Sequence, residues 1–150
     1  MIEERVIYIA ADHSGMELKN QIVIYLTNNN YKVVDYGTKS TESVDYPAYA
    51  AKVAQKVQNA TESLGILCCG TGIGMSIVAN KFKGIRAAVV TDAVTAKITK
   101  EHNDTNVLCL GQRTSGVKEV CYEIVDAWLN AKPLGGRHER RVAAISILER

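Results

Sequence analysis

The sequence predicts an α/β fold in which a five-stranded parallel sheet is doubly wound between layers of helices, and three observations predict it. Apolar runs rich in β-branched residues alternate with amphipathic stretches along the whole chain. No long linker, proline-rich tract or internal repeat breaks that alternation. The 150 residues, 47% of them hydrophobic, are the size of one ordinary domain with enough apolar side chains for a real core.

The elements follow in order. VIYIA (6–10) reads as the first strand, and after Gly15 the residues Leu18, Ile22, Tyr25 and Leu26 fall at i, i+4, i+7 and i+8, the apolar stripe of a helix packed on one face. YKVVDYG (31–37), LGILCC (64–69), IRAAVVT (85–91) and NVLCLG (106–111) supply four more strands. Similar helices are expected over 47–60, 73–81, 93–102, 116–131 and 138–149. Together these give a Rossmann-like three-layer αβα sandwich in a single domain spanning residues 1–150.

Composition narrows the function. Four cysteines, two adjacent at 68 and 69 and the others at 109 and 121, form no C-x-x-C zinc pattern, and with the histidines they make no metal-ligand set. Reduced thiols in a cytoplasmic protein are the expectation. The start MIEERVIYIA has two acids before a short apolar run, and no stretch approaches about 18 uninterrupted apolar residues, so a soluble, unexported protein without a membrane partner is expected. Of the net charge of +2, all lies in residues 135–150, which hold four arginines and two glutamates. One local basic cluster in an otherwise neutral chain fits a small anion such as phosphate better than a nucleic acid, although Arg140 and Arg150 read as a solvated helix end.

The chemistry concentrates in ILCCGTGIG (66–74), where a strand ends at Cys69 and opens into a loop with glycines at 70, 72 and 74. Such a loop turns its N–H groups toward a ligand, and a helix starting near Ile73 adds its positive end. The donors that hold an oxyanion also favour a thiolate beside them, so Cys69 is placed to act as a base or nucleophile; the alternative is a small buried hydrophobe. Spacing excludes three better-known loops. A dinucleotide fingerprint needs glycine where Met75 stands, a P-loop needs a lysine before Lys81, and a cysteine phosphatase loop needs an arginine where Gly74 or Met75 stands.

In open α/β sheets ligands collect beyond the carboxyl ends of the strands. Asp12 and His13 follow the first strand, Asp45 and Tyr46 come after the second, the glycine loop follows the third, and the fifth ends in GQR with Arg113. Taken singly, Asp12 and His13 also read as a helix-capping pair, and HNDTN (102–106) as a polar turn. His102 and Asn103 precede their strand, which puts them at the opposite edge unless a neighbouring subunit brings His102 across. Arg137 and Arg141, at i and i+4, share a helical face, while Val142, Ile145 and Leu148 form another stripe that needs a partner. A terminal helix over about 138–149, after Gly135 and Gly136, can reach that neighbour or fold back on its own domain.

These residues together resemble the type B ribose-5-phosphate isomerases, a family that also contains galactose-6-phosphate isomerase subunits and allose-6-phosphate isomerising members. The likeness is carried by DHSG (12–15), DYP (45–47), CGTGIGMSIVANK (69–81), GIRAA (84–88), HNDTNVL (102–108) and GGRHERRV (135–142), across nearly the whole chain. It implies that Cys69 moves the proton between adjacent sugar carbons and that His102 is the acid that opens the furanose ring. Gly70, Thr71, Gly72, Ile73 and Gly74 would hold the enediolate oxygens, and Asp12, His13 and Asn103 would contact the sugar. Arg113, Arg137 and Arg141, with His13 nearby, would bind phosphate. The resemblance further implies a homodimer or homotetramer with sites shared between subunits, and a non-oxidative pentose phosphate role. Some relatives carry a glutamate at the position of Met75; here only Cys69 can take the proton. Such an isomerisation needs a base, an oxyanion cradle and no redox cofactor.

The expected activity is therefore aldose-ketose isomerisation of ribose 5-phosphate and ribulose 5-phosphate. A six-carbon sugar phosphate is the alternative within the family, and a phospho-sugar or nucleotide binding module the alternative outside it. A receiver-like signalling domain would need an aspartate where Cys69 stands and a lysine where Gln112 and Arg113 stand.

Overall fold

A computed structural model describes residues 5–117 and 119–149. Glu3 and Glu4 of the acidic start and Arg150 of the C-terminal cluster lie outside the described residues, as does Lys118 within the helix expected at 116–131. The order is β1 (Val6–Ala11), α1 (Met16–Asn28), β2 (Lys32–Asp35), α2 (Tyr46–Asn59), β3 (Leu64–Cys69), α3 (Ile73–Ala79), β4 (Ala87–Val89), α4 (Ala93–Asn103), β5 (Val107–Gly111), α5 (Gln112–Ser115), α6 (Glu119–Asn130) and α7 (Arg137–Ile147). The strands form one sheet in the order β2-β1-β3-β5-β4, and every pairing is parallel. The α/β sandwich predicted from the alternation is the one observed.

β3 sits at the centre of the sheet, and all six of its residues are buried, which is why LGILCC reads as an unbroken apolar run. Its side chains alternate between two cores. Ile66 and Cys68 face one core with Leu18, Ile22 and Leu26 of α1 and Cys121, Ile124 and Trp128 of α6. Leu67 and Cys69 face the other, with Val53 and Ala54 of α2 and Met75 and Ala79 of α3. Cys68 and Cys69 thus point to opposite faces, as strand geometry requires.

The edge strands are shorter than their apolar runs. β4 keeps three residues of the expected 85–91, pairing only with β5 while the side-chain amide of Asn80 takes both the N–H and the C=O of Ala87. β2 keeps four of 31–37, with Gly37 at φ +92° just beyond it. The helix expected over 116–131 is α6 (Glu119–Asn130), and a further one-turn helix not expected from the pattern, α5, precedes it and ends at Gly116, which lies at φ +73°. Elsewhere local signals hold: Pro47 occupies the first turn of α2, Asp92 caps α4 by accepting from the Thr95 N–H at 2.7 Å, and the left-handed Asp104 ends that helix.

β1 and β3 are neighbours, yet β1 leads through α1 to β2 on one side and β3 leads through α3 to β4 on the other. The chain therefore reverses direction between their carboxyl ends, the place where a doubly wound sheet opens a crevice. Gly15 closes the base of that crevice. A Cβ at Gly15 would lie 2.4 Å from the Cys68 carbonyl carbon and 2.6 Å from the Cys69 amide nitrogen, both backbone atoms that cannot move aside alone. Gly15→Ala is expected to lower the urea midpoint by the equivalent of about 2 kcal/mol or more. An unchanged midpoint would show that α1 does not rest on the Cys68–Cys69 peptide.

Candidate active site

Three strand ends meet at the crevice. Cys69 ends β3 opposite Gly111, the last residue of β5, and Cys68 pairs with Ala11 at the end of β1. The Cys69 thiol is 7% exposed and accepts the Gly72 N–H at 3.0 Å, the one loop amide turned back onto the residue that begins the loop. Gly72 makes this possible at φ +83°, with β5 so close beneath it that a Cβ would sit 3.1 Å from the Leu110 backbone. Thr71 closes the turn by accepting from the Ile73 N–H at 3.2 Å.

The other thiols sit in different surroundings. Burial and the neighbouring thiols push Cys68 well up, burial does the same to Cys109, and burial holds Cys121 at about 11. All four cysteines are free, and these three stay protonated at neutral pH.

Asp12 and His13 follow the end of β1 beside the end of β3, where the Asp12 N–H donates to the Cys68 carbonyl at 3.3 Å. One carboxylate oxygen of Asp12 accepts from the Ser14 N–H, the Ser14 hydroxyl and the Gly15 N–H, which closes the turn leading into α1; the N-cap itself is Gly15, with no side-chain cap, so the helix-capping reading of Asp12 and His13 does not hold. His13 Nδ1 accepts the Val44 N–H at 3.1 Å, which leaves its ring proton on Nε2 as a donor. Arg113 enters from α5: its N–H donates to the Gly70 carbonyl at 3.0 Å, and its guanidinium lies where a side chain on Gly70 would be, 3.0 Å from the absent Cβ. Tyr46 lies over Gly74, 2.7 Å from the corresponding point, so it forms a wall that the sequence pattern noted by position without a role. Asp12, His13, Cys69, the Gly70–Gly74 loop and Arg113 therefore stand together around one crevice at the carboxyl ends of β1, β3 and β5.

His102, Asn103, Arg137 and Arg141 do not join them. α4 descends to the start of β5, so His102 and Asn103 stand at the opposite edge of the sheet. There His102 stacks on His138, ring centroids 4.1 Å apart and planes 8° apart, beside a cavity of about 640 Å³ that Glu101, Lys132 and Glu139 also line. The Leu134 N–H donates to the Glu101 carbonyl at 3.0 Å and ties the start of α7 to the end of α4. Arg137 and Arg141 are exposed on α7, a helix with no buried residue. Beyond them Ile145, Ile147 and Leu148 are bare, as are Ile73 and Ile77 on α3.

A family model described as Ribose/Galactose Isomerase matches residues 7–145. The chain belongs to this family. It is 49% identical to the ribose-5-phosphate isomerase B of Escherichia coli (strain K12) over 143 residues, 95% of each chain. Among solved structures it resembles the ribose-5-phosphate isomerase B of Clostridium thermocellum (TM-score 0.92, 47% identity, 95% of this chain and 96% of that one). It also resembles the Mycoplasma genitalium ribose-5-phosphate isomerase B with bound ribulose-5-phosphate (TM-score 0.92, 42% identity, 97% of each). Among the described residues no group of three or more His, Cys, Asp or Glu could hold a metal, and no helix is long and apolar enough to cross a membrane.

In this isomerase-family chain the HNDTN turn divides by role. Asp104 and Asn106 bind Arg86 and the backbone beside it, and Thr105 is buried, which leaves His102 and Asn103 facing outward. Beneath the turn Lys100, 4% exposed, donates to the Thr105 carbonyl at 2.7 Å and lies 4.6 Å from the centre of the Trp128 ring. Trp128 Nε1 donates to the Thr105 hydroxyl at 2.9 Å, which donates to that of Thr99 at 3.1 Å. Neither buried lysine, this one or Lys19, is visible as such in the apolar pattern.

Burial lowers Lys100 from 10.5 to about 8, with Arg5 and Arg86 adding to the effect and Asp104 opposing it. Between those values the unfolded chain holds a proton that the folded chain has lost, so stability from this group rises with pH across the window and is lost as pH falls through about 8. Urea unfolding of the native protein and Lys100→Met at about pH 7 and about pH 10 is expected to show the native protein gaining up to about 3 kcal/mol relative to the variant. Parallel pH curves would mean that Lys100 is solvated as in water.

Proposed function

We propose that the chain interconverts D-ribose 5-phosphate and D-ribulose 5-phosphate through an enediolate, in sites each built from two subunits. The observation that carries this reading is the Cys69 thiol held at 3.0 Å on its own loop's Gly72 N–H, next to an arginine and two strand-end polar residues, in a chain of the ribose/galactose isomerase family.

In this mechanism His102 donates a proton to the furanose oxygen as the bond from C1 to that oxygen breaks and the C1 hydroxyl proton is released to solvent, freeing the aldehyde. The Cys69 thiolate then removes the proton from C2 while the carbonyl electrons move to O1. Charge developing on the oxygens is met by N–H groups of the Gly70–Gly74 loop, and transfer of the O2 hydroxyl proton to O1 with return of the proton from Cys69 to C1 gives the ketose. His13 Nε2 and Arg113 from one subunit, with Arg137 and Arg141 from the other, bind the phosphate, a set suited to a dianion. Asp12 and Asn103 contact the sugar hydroxyls.

Two features support a site shared between subunits. Each chain carries the two half-sites at opposite edges of its sheet, and the apolar residues of α3 and the end of α7 are bare. We therefore read the protein as a homodimer or a larger assembly of dimers. Four free thiols fit a cytoplasmic enzyme.

Cys69→Ala is expected to reduce turnover about a thousandfold or more while leaving sugar-phosphate affinity within about tenfold, and Cys68→Ala to be mild. The reverse ranking in a coupled ketose assay would transfer the base to Cys68. A second measurement addresses assembly. Mixing inactive Cys69→Ala chains with inactive Arg137→Ala chains, with exchange verified by native mass spectrometry, is expected to restore about a quarter of the native activity, since half the dimers are mixed and each has one intact site. No recovery despite exchange would place the whole site within one chain.

A further inference from the structure

The cavity beside His102 holds a second imidazole to which nothing above gives a task. His138 is the second residue of α7, and its ring is the flat surface on which the His102 ring lies, 4.1 Å away and 8° from parallel. His102 is in the last turn of its own helix, next to the exposed Asn103 and the left-handed Asp104, where its imidazole packs on the His138 ring. A ring needed to aim an N–H at one oxygen gains from a platform that removes rotational freedom.

We propose that His138 is a positioning residue for ring opening, holding the His102 imidazole in one plane so that its N–H points across to the partner's half-site. The proposal rests on the reading of His102 as the ring-opening acid. The charges around the stack are uneven. Arg137 and Arg141 flank it from α7 and Glu101 faces it from α4, while Lys132, Asp104 and Glu139 line the same cavity. Desolvation, then His102 and the two arginines, lower His138 against the opposing pull of Glu101, so the platform is neutral at neutral pH. Protonating it puts a charge on the face against which the His102 ring packs and weakens the stack.

The experiment isolates ring opening from proton transfer between carbons. In a Cys69→Ala background the bound aldose cannot isomerise, yet opening and reclosure of the furanose still exchange its α and β anomers, which saturation-transfer NMR reads on ¹³C-1-labelled ribose 5-phosphate. Cys69→Ala is expected to accelerate that exchange over buffer, and adding His102→Ala to abolish the acceleration. Adding His138→Ala is expected to cut it about tenfold, and His138→Phe, which keeps a flat face, to stay within about threefold. As pH falls below the ordinary histidine value of about 6.5, the ratio of the His138→Phe rate to the rate with His138 in place is expected to rise, because only the latter platform acquires charge.

The outcomes separate the two claims. If Cys69→Ala accelerates nothing, or His102→Ala leaves the acceleration intact, the assignment of the acid falls. If His102 proves essential but His138→Ala has no effect, or the phenylalanine fails to rescue, or the ratio is flat with pH, the positioning role falls alone.

Discussion

The contact between Gly15 and the Cys68–Cys69 peptide is the constraint on which the crevice depends. Two strands that are neighbours in the sheet send their chains to opposite faces, so the first turn of α1 must pass against the backbone of β3 with no side chain between them. The side chains at the carboxyl ends of the strands are then positioned from that crossing. The Asp12 carboxylate is spent partly on the N–H groups of that turn, and the Gln112 side chain of α5 accepts from the Leu18 N–H at 3.0 Å, joining the end of β5 to the same helix. From α5 the Arg113 N–H reaches back to Gly70. The thiol, the carboxylate and the guanidinium are thus parts of one short-range backbone arrangement.

Two buried lysines hold the loops that the apolar cores leave unsupported. Lys19, with no exposed surface, donates to both Asp35 oxygens at 2.9 and 2.7 Å, and Asp35 accepts the Gly37 N–H at 2.8 Å. Gly37 and Thr38 then bind the two backbone groups of Ala11, the residue before Asp12. Lys100 does the equivalent for the turn that presents His102. Ion pairs and ammonium groups in such places are weak sources of net stability, but removing one partner is costly, which makes them effective at fixing a single loop conformation.

Much of this was legible in the residues. β3 was bounded correctly at Leu64 and Cys69 because a strand covered on both faces is uniformly apolar and ends abruptly at glycine. The placing of His102 at the far edge followed from strand order alone, and α4 bears it out. What was not legible depended on tertiary partners. Lys19 lies next to Leu18 on the inward side of the α1 stripe, but only the position of Asp35, 16 residues on, makes its burial tolerable. The single turn of α5 before Gly116 was not legible either, because four residues are too few to show a helical period. Tyr46 over Gly74 and His138 on His102 are contacts between elements distant in sequence, with no local periodicity to signal them.

The adjacency of the two central cysteines carries a consequence of its own. β3 is laddered on both sides, to β1 and to β5, so neither neighbour can shift without the other. Inserting or deleting one residue anywhere between Leu64 and Cys68 would turn the strand over by one pleat and deliver to the crevice the side chain that now faces Ile22 and Trp128. Which sulfur faces the crevice is therefore a question of odd and even. Two chemically identical groups, one residue apart along the chain, are sent to opposite faces by parity alone.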